Sequence, residues 1–281
     1  KVMLNCPNCS KELHDFQPKL KSIECKNCNS VWEKKHPGIW DFRVEKRNTH
    51  KLSIYKEAEY RRWLNIFGKQ EISNWKIYET SINRFFSQAG HRILARKLKA
   101  KIKDHHYVLE VGAGDGLFYK FLPINNYLAI DTNWDALAQF SLQYPEATLV
   151  CTNGGKLPIR NESIDFVISM HTLEHIYYLG EFFEDINRIL NSKGCQYFVI
   201  PTEGSLLFYL GRKFVTGPNL RKKYKLDVNY VMDREHINDA KRVLKFLRLY
   251  FKRVEKHYWP FNFLRYIGCN IMIWGSCNKK G

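Results

Sequence analysis

Short apolar runs alternate with segments of helical spacing in the middle of the chain. One run begins at Val108, a second ends at Asp131 and a third covers residues 164–169. Short continuous apolar runs are typical of strands that are buried on both faces of a parallel sheet. A further strand is expected at residues 195–200. The pattern predicts an α/β protein with a mostly parallel sheet.

Two segments have the spacing of amphipathic helices. Residues 179–190 place apolar side chains every three or four positions, and residues 191–194, Asn-Ser-Lys-Gly, are expected to end this helix. Residues 236–251 repeat the spacing, with a polar face rich in arginine and lysine. We interpret this second helix as a cover for the sheet, with a helix lying on a membrane surface as the alternative. Residues 253–259 and 270–276 are expected to form the final antiparallel hairpin.

The segment at residues 45–104 combines helical spacing with many aromatic side chains among arginines and lysines. Such residues most often pack against a core, and the alternative is a helical cap over an active site. We therefore expect a small module at residues 1–44, this helical cap or linker at 45–104, and a core domain at 105–281. The 281 residues, 44% of them hydrophobic, can bury one sizeable core beside a small module.

Four of the eight cysteines form two Cys-x-x-Cys pairs in the N-terminal module. Cys6 pairs with Cys9 and Cys25 with Cys28, with fifteen residues between the pairs. This spacing is typical of a tetrahedral zinc site, and the alternative is a pair of disulfides or redox dithiols. Because four protein ligands leave no position for water or substrate, the zinc is expected to be structural, in a zinc ribbon. The remaining cysteines are expected to be free thiols, as in a reducing compartment: Cys151, Cys195, Cys269 and Cys277.

Three alternating glycines follow the first core strand. Gly112, Gly114 and Gly116 stand in Val-Gly-Ala-Gly-Asp-Gly, and Asp131 closes the next apolar run fifteen residues later. Glycines allow a sharp turn and the close approach of a ligand. An acidic residue that ends the second strand is suited to binding a ribose diol. Together these features indicate a nucleotide-like cofactor at the carboxyl ends of the strands.

This loop resembles that of the class I S-adenosylmethionine-dependent methyltransferases of the type 11 group. Glu110 stands two residues before the first glycine, and the third glycine comes one residue earlier than in the dinucleotide-binding Gly-x-Gly-x-x-Gly pattern. Leu-Pro at residues 157–158, and residues 164–176 with their Leu-Glu-His triplet, are similar to later motifs of this family. The resemblance is close over residues 105–203. It implies a Rossmann-like sheet of seven mostly parallel strands with an antiparallel last strand.

The resemblance also implies a set of cofactor contacts. In the family the glycine loop lies against the methionine part of S-adenosylmethionine, the acidic residue holds the ribose hydroxyls, and an aspartate accepts a hydrogen bond from the adenine amino group. Here Asn153 stands in place of that aspartate, and its amide oxygen can accept the bond without the assistance of charge. The residues expected to contact the cofactor are Glu110, Gly112, Ala113, Gly114, Gly116, Asp131, Thr132, Asn153, Gly154 and His171.

Three histidines are candidates for catalysis on the acceptor side. His171 follows the strand at residues 164–169, and His175 comes four residues later. His236, in Glu-His-Ile-Asn, is similar to a pair that many relatives have near the acceptor pocket. Each histidine can take a proton near neutral pH. The alternatives are a hydrogen-bonded loop histidine for His171 and a packing role for His175.

The net charge of +17 is unevenly distributed. Residues 1–103 carry +13, residues 104–203 carry −8 and residues 204–281 carry +12. Basic flanks attract anionic partners, and the basic insertion at about residues 204–235 lies where the family inserts substrate-binding elements. The expected partner is an anionic acceptor, with structured RNA, an anionic membrane face and a phosphorylated or sugar-nucleotide acceptor left open. A solvated, lysine-rich surface is the remaining alternative.

The combined pattern predicts a methyltransferase that O-methylates a small-molecule, glycan or lipid-linked acceptor. The chain lacks the Asn/Asp-Pro-Pro-Tyr/Phe tetrapeptide typical of amino-group methylases. The alternatives are a ribosomal or transfer RNA base methyltransferase, favoured by the basic flanks and the zinc ribbon, and a catalytically silent binding module.

No apolar run reaches about eighteen residues, and the N-terminus lacks the layout of a secretory signal. We therefore expect a cytoplasmic enzyme, with peripheral contact with the inner face of the membrane as an alternative.

Overall fold

The computed structural model describes residues 4–44, 81–152, 156–211, 213–214, 217–225, 227–264 and 267–280. Its strands are β1 Ser22–Glu24, β2 Val31–Lys35, β3 Ile39–Asp41, β4 Val108–Val111, β5 Tyr127–Asp131, β6 Thr148–Cys151, β7 Ile164–Met170, β8 Leu190–Pro201, β9 Arg253–Trp259 and β10 Met272–Asn278. Its α-helices are α1 Ser81–Lys99, α2 Leu117–Phe121, α3 Trp134–Gln143, α4 Leu179–Ile189, α5 Leu206–Gly211, α6 Gly217–Tyr224, α7 Val228–Glu235 and α8 Ala240–Tyr250. None of these helices combines the length and apolar character needed to cross a bilayer.

The strands form one sheet in the order β1-β2-β3-β6-β5-β4-β7-β8-β10-β9. The neighbours from β6 to β8 pair in parallel, and β10 pairs antiparallel with both β8 and β9. Strand order reverses beside β4, so the carboxyl ends of β4 and β7 flank the crevice in which such sheets bind ligands. The predicted seven-stranded, mostly parallel sheet with an antiparallel last strand is confirmed by β4–β10.

The N-terminal ribbon extends this sheet beyond its seven core strands. β3 pairs in parallel with β6, with Ile39 beside Leu149 and Asp41 beside Cys151. The Phe42 N–H donates to the Cys151 carbonyl oxygen over 2.8 Å, which lengthens the pairing by one bond. The side chain of Trp40, on β3, is completely buried. The ribbon and the core therefore share one continuous sheet and one hydrophobic interior.

Apolar side chains cover both faces of the sheet. Leu109 and Val111 of β4 lie in a cluster with the buried residues of the ribbon, α4 and α8. Val108 lies in the opposite cluster with residues of α1, α2 and α3. Burying a side chain such as Leu109 stabilises the fold by roughly 1.5–3 kcal/mol. The three layers hold the carboxyl ends of the strands in fixed positions.

The helix predicted at residues 236–251 is shorter in the structure. α8 begins only after Asp239, whose side chain accepts a hydrogen bond from the Arg242 N–H and caps the helix. His236 consequently lies in the connection between α7 and α8 rather than inside a helix. Val243 and Leu247 of α8 are buried in the same cluster as α4, as expected for a helix that covers the sheet.

The expected stop at residues 191–194 is wrong in one respect. α4 ends at Ile189, one residue before the predicted end, but β8 begins at Leu190 and runs through the polar residues without a loop. The side chains of Ser192 and Lys193 are exposed at this end of the strand, so polar residues are tolerated there. The final hairpin is confirmed, with its second strand at Met272–Asn278 rather than at residues 270–276.

Most of the segment expected to form a helical cap or linker, residues 45–80, lies outside the described residues. The described remainder contains α1, whose Leu94 and Leu98 are completely buried. A Cβ atom at Gly90 would lie 2.9 Å from the Val199 side chain, so α1 packs closely on the sheet at this point. The interpretation of the apolar residues as core residues therefore holds for Leu94 and Leu98, whereas the aromatic side chains of the segment lie outside those that the structure describes.

Candidate functional site

The glycine loop turns through left-handed backbone conformations after β4. Gly112, Gly114 and Gly116 have φ angles of 74°, 54° and 84°. A Cβ atom at Gly112 would lie 2.4 Å from the Thr172 Oγ1 atom, and one at Gly116 would lie 2.6 Å from the Phe140 ring. Among the described residues, apart from its two chain neighbours, none has an atom within 4 Å of the Cβ position of Gly114. Two glycines are thus required by the protein's own packing, whereas Gly114 faces open space that a ligand can fill.

Asp131, at the end of β5, connects this loop to the neighbouring strand. Its Oδ2 accepts a hydrogen bond from the Gly114 N–H over 2.8 Å, and its Oδ1 accepts one from the Asn133 N–H over 2.8 Å. Burial raises the pKa of the Asp131 carboxyl above its usual range, although these amide donors lower it. Because a carboxylate has about four acceptor positions, the side chain can still accept bonds from a ligand's hydroxyl groups.

The other residues predicted beside this loop differ in exposure. Ala113 is buried, and its N–H donates to the Ile130 carbonyl oxygen over 3.2 Å. Thr132 is exposed directly after Asp131. Asn153 and Gly154 lie outside the described residues, so the expected adenine contacts stay a prediction.

Glu110 is enclosed by protein. It is 1% exposed, and its Oε2 accepts a short hydrogen bond from the Tyr127 hydroxyl on β5. Burial raises the pKa of Glu110 to about 8, and the charge of Asp131 adds to the effect. The structure therefore shows Glu110 joining β4 to β5, and its predicted contact with the cofactor stays a prediction.

His171 lies immediately after β7, beside the glycine loop. It has a φ of 51°, and its N–H donates to the Val199 carbonyl oxygen over 2.9 Å. The next residue, Thr172, donates from Oγ1 to the Val111 and Met170 carbonyl oxygens, each over 3.1 Å. The sequence did not single out Thr172, yet it fixes the end of β7 against the end of β4. Thr172 is thereby held next to Gly112, and His171 directly precedes it in the chain.

A second group of polar side chains brings His175 and His236 together. His175 ends the 3₁₀ turn Leu173–His175, and its ring centre lies 4.7 Å from that of His236. Nδ1 of His175 lies 2.8 Å from the Glu235 carbonyl oxygen, and Nδ1 of His236 lies 2.5 Å from Glu203 Oε1. All three histidines predicted from the sequence therefore occupy one region, although His236 is sixty-one residues from His175 in the chain.

Glu174 links this group to His171. Its Oε1 lies 3.8 Å from Nδ1 of His171, and the residue is 2% exposed. Burial raises the pKa of Glu174 to about 7. Burial also lowers the pKa of His171 and that of His175 to about 4, with a further contribution from His236. At neutral pH both rings are uncharged and carry a nitrogen lone pair.

Asn238 was missed by sequence reasoning and positions the whole group. Its side-chain amide donates to the Leu173 and Ile176 carbonyl oxygens over 3.1 and 2.6 Å, and its N–H donates to the Glu174 carbonyl oxygen over 3.1 Å. These bonds attach the segment after α7 to the turn that carries Glu174 and His175. The only sequence signal was the position of Asn238 two residues after His236.

The four N-terminal cysteines converge. Cys6 and Cys28 have their Sγ atoms 3.6 Å apart, as do Cys9 and Cys25, and all four Sγ atoms lie within 4.8 Å of one another. The four are free thiols. A tetrahedral zinc ion with bonds of about 2.3 Å to sulfur separates its ligands by roughly 3.8 Å. The donor set and its spacing therefore fit a four-thiolate metal site.

The two cysteine pairs have the same local geometry. The Ser10 N–H donates to the Cys6 carbonyl oxygen, and the Asn29 N–H donates to the Cys25 carbonyl oxygen, each over 2.8 Å. Ser10 and Asn29 both have positive φ angles, 60° and 58°. In addition, the Trp32 indole N–H points to Cys6 Sγ over 3.4 Å, as a donor to a metal-bound thiolate would.

The basic insertion forms a cleft of about 580 Å³ between α5, α6 and α7. Lys213 lies near the rings of Tyr209 and Phe214, at 5.6 and 5.5 Å. Arg221 and Lys222 complete the positive side of the cleft. A region with this lining attracts anionic groups.

Comparisons with known proteins agree with this geometry. A profile described as a methyltransferase domain matches residues 109–198. An uncharacterised protein of Methanocaldococcus jannaschii is 31% identical over 109 residues, which cover 39% of this chain and 47% of that protein. A protein of Mycobacterium tuberculosis, described as a probable S-adenosylmethionine-dependent methyltransferase, is 24% identical over 130 residues, or 46% of each protein. The chain spans about half the length of these relatives.

A similar solved structure is that of the plantazolicin methyltransferase BamL, in complex with a triazolic desmethylPZN analogue and SAH. The two structures align with a TM-score of 0.51 at 12% sequence identity. The alignment covers 80% of this chain and 97% of BamL. At this identity the likeness concerns the fold. Residues 109–198 therefore belong to the methyltransferase domain family, in a chain with the fold of S-adenosylmethionine-dependent methyltransferases.

Proposed function

We propose that the protein transfers a methyl group from S-adenosylmethionine to an acceptor bound beside His171. The observation that carries this proposal is the relation between Gly114 and Asp131. Gly114 faces open space, and its N–H is held by the carboxylate at the end of the next strand. A cofactor lying along the loop would thus contact the backbone at Gly114, which has no side chain, and the Asp131 carboxylate, which is suited to binding its ribose.

The proposed contacts with the cofactor rest on different observations. The loop of Gly112, Gly114 and Gly116 would lie against the methionine part, and Asp131 would accept bonds from the ribose hydroxyls. Thr132, exposed beside Asp131, is available on the same edge. Asn153 and Gly154 are proposed as adenine contacts on the strength of the family resemblance alone.

The proposed reaction is O-methylation. A sulfonium methyl group is already activated, so the protein must mainly hold the acceptor oxygen in line with the bond that breaks. The oxygen–carbon bond forms as the carbon–sulfur bond breaks, and the electron pair stays with sulfur. The hydroxyl proton passes to a neutral histidine, for which His171, His175 and His236 are the candidates.

The acceptor is proposed to be an anionic small molecule, glycan or lipid-linked compound. The cleft with Lys213, Arg221 and Lys222 supports an anionic group, and the aromatic side chains beside it support a ring or an acyl chain. Asn229 of α7 lines this cleft, and α7 leads directly to His236. Helix α7 thus runs from the cleft of the basic insertion to His236.

RNA is the second candidate acceptor because both flanks of the core are strongly basic, with net charges of +13 and +12. Binding that depends on phosphate contacts weakens steeply as salt increases.

Transfer of a labelled methyl group distinguishes the two acceptors. It should be measured into a small-molecule and lipid fraction and into an RNA fraction, with and without nuclease. Label in the first fraction supports our proposal, and nuclease-sensitive label supports the RNA alternative. If S-adenosylmethionine does not bind at all, the chain is a silent binding module.

We also propose that the four-cysteine site binds structural zinc. The support is the spacing of the four Sγ atoms and the repeated hydrogen bonding of the two pairs. Four thiolates fill a tetrahedral ion, so the metal would stabilise the ribbon rather than take part in the reaction. Metal analysis of the purified protein should find one zinc per chain at this site, lost in a Cys25→Ser variant.

A further inference from the structure

We propose that Glu174, His175 and His236 form a second metal site, distinct from the four cysteines, for a divalent transition-metal ion. Each of the three residues offers one ligand atom, and these atoms all lie within 4.8 Å of one another. Two imidazoles with one carboxylate are a donor set typical of Zn²⁺ and Fe²⁺, and Mn²⁺ also accepts it.

The two histidines are oriented in the manner of metal ligands. A carbonyl oxygen can only accept, so Nδ1 of His175, 2.8 Å from the Glu235 carbonyl oxygen, must donate. The lone pair of His175 is then on Nε2. His236 has Nδ1 2.5 Å from the Glu203 carboxylate. Metal-binding histidines usually have one nitrogen held by a carbonyl or carboxylate group, which fixes the ring orientation.

Buried oxygen atoms without donors give an independent indication. Among the described residues, no hydrogen-bond donor reaches Oε2 of Glu174, and the residue is 2% exposed. Oε1 of Glu235, whose carbonyl contacts His175, is likewise buried without a donor in the described part of the chain. Leaving such groups unsatisfied costs about 1–3 kcal/mol each. A cation among Glu174, His175 and His236 would supply the missing charge for Glu174.

The fold holds the three ligands together without the metal. Asn238 bonds to the turn on both sides of Glu174 and His175, and so keeps His236 next to them. Three protein ligands leave at least one coordination position open. The existence of the metal site does not depend on the proposed function, but the role of the metal does rest on it. In that role the open position would hold the acceptor oxygen, and the metal would lower the proton affinity of that oxygen. His171, 3.8 Å from Glu174, would then be the remaining base.

The binding of the metal can be tested separately from catalysis. The full chain, with zinc already at the cysteines, should be titrated with Mn²⁺ and followed by electron paramagnetic resonance, and with Zn²⁺ by calorimetry. We expect saturable binding of one ion per chain to at least one of these metals. Glu174→Gln and His236→Asn should each weaken that binding by at least about tenfold, and Glu203→Gln by roughly 10–100-fold.

Matched controls separate ligand loss from general effects. Glu184→Gln removes an exposed carboxylate of α4, and His105→Asn removes an exposed histidine. Both should bind the metal as the wild type does. Circular dichroism and S-adenosylmethionine binding should be measured for every variant, so that an unfolded variant is recognised. If a ligand variant does not fold, the metal affinity of Glu203→Gln decides instead.

Two results would overturn the metal site. One is the absence of saturable binding of either ion to the folded wild-type protein. The other is unchanged affinity in folded Glu174→Gln and His236→Asn. If S-adenosylmethionine binds normally in that case, the proposed methyltransferase function stands without a metal. If instead the metal binds and S-adenosylmethionine does not, the site survives and the proposed function fails.

Discussion

The Gly114 N–H donates a hydrogen bond to the Asp131 carboxylate over 2.8 Å, across two neighbouring strand ends. The same carboxylate accepts from the Asn133 N–H, which begins the connection to α3. Asp131 therefore has a structural role of its own, because it holds the glycine loop in shape. Any effect of changing Asp131 includes this loss of support as well as the loss of a ligand contact.

The glycines of the loop should separate into two classes when each is changed to alanine. Gly116→Ala would place its Cβ against the Phe140 ring, so we expect a destabilisation of roughly 1–3 kcal/mol from overpacking and about 1–2 kcal/mol from the positive φ. Gly114→Ala should cost only the backbone term. Chemical denaturation measures both values. Equal destabilisation by the two variants would contradict the assignment of open space to Gly114.

Removal of the ribbon metal should affect the core sheet. The apparent free energy of zinc binding to such sites is about 10–16 kcal/mol, comparable to the whole stability of a domain. We expect Cys25→Ser to lose the metal, to unfold residues 1–44, and to speed hydrogen exchange of β6 amides, because β6 pairs with β3. Cys269→Ser changes a half-buried thiol outside the cluster and is the control. Unchanged exchange in β6 would show that the ribbon folds independently.

Much of the core can be predicted from the sequence, because strands that are buried on both faces consist of continuous apolar runs. The apolar runs of β4, β5 and β7 and the periodicity of α4 stand out for that reason. β3 has only three residues, Ile39–Asp41, and nothing in so short a segment indicates that it pairs with β6, more than a hundred residues later.

The candidate site was only partly predictable for a different reason. His171 and the glycines lie in continuous motifs, whereas Asn238 and Glu203 act through contacts with distant segments. Periodicity carries no information on such contacts. The start of α8 was also misplaced, because one capping side chain, Asp239, outweighs the apolar spacing that continues before it.

Glu110 should make the stability of the protein depend on pH. Its pKa rises from an ordinary value of 4.5 to about 8 in the fold, so its contribution to stability is full below pH 4.5 and is lost as the pH rises toward 8. The slope reaches at most about 1.4 kcal/mol per pH unit for one proton. Glu110→Gln removes this titration. Urea denaturation across that pH range should therefore show the variant losing less stability than the wild type, and parallel curves would refute the assignment.

Asn238→Ala should disturb the histidine group more than the fold. The variant loses the side-chain bonds to the Leu173 and Ile176 carbonyl oxygens, of which Leu173 keeps a bond from the Ile176 N–H, so we expect a loss of stability of about 1–3 kcal/mol. We expect the rate of methyl transfer to fall at least tenfold. S-adenosylmethionine should bind as before, because the Asn238 side chain bonds to the turn at residues 173–176 and not to the glycine loop. Asn187→Ala, which removes side-chain bonds to the Phe183 and Tyr250 carbonyl oxygens, is a matched control with an expected loss of stability alone.

The most direct measurement is calorimetric titration of the folded, metal-loaded protein with S-adenosylmethionine, for the wild type and for Asp131→Ala. We expect one site per chain in the wild type and an affinity reduced by about one to two orders of magnitude in the variant, as for the loss of charge-assisted hydrogen bonds of roughly 1.5–3 kcal/mol. Asp135→Ala, which removes an exposed carboxylate four residues away, should bind normally. Absence of binding to the wild type, or equal affinity in Asp131→Ala, would show that the glycine loop and Asp131 do not form the cofactor site.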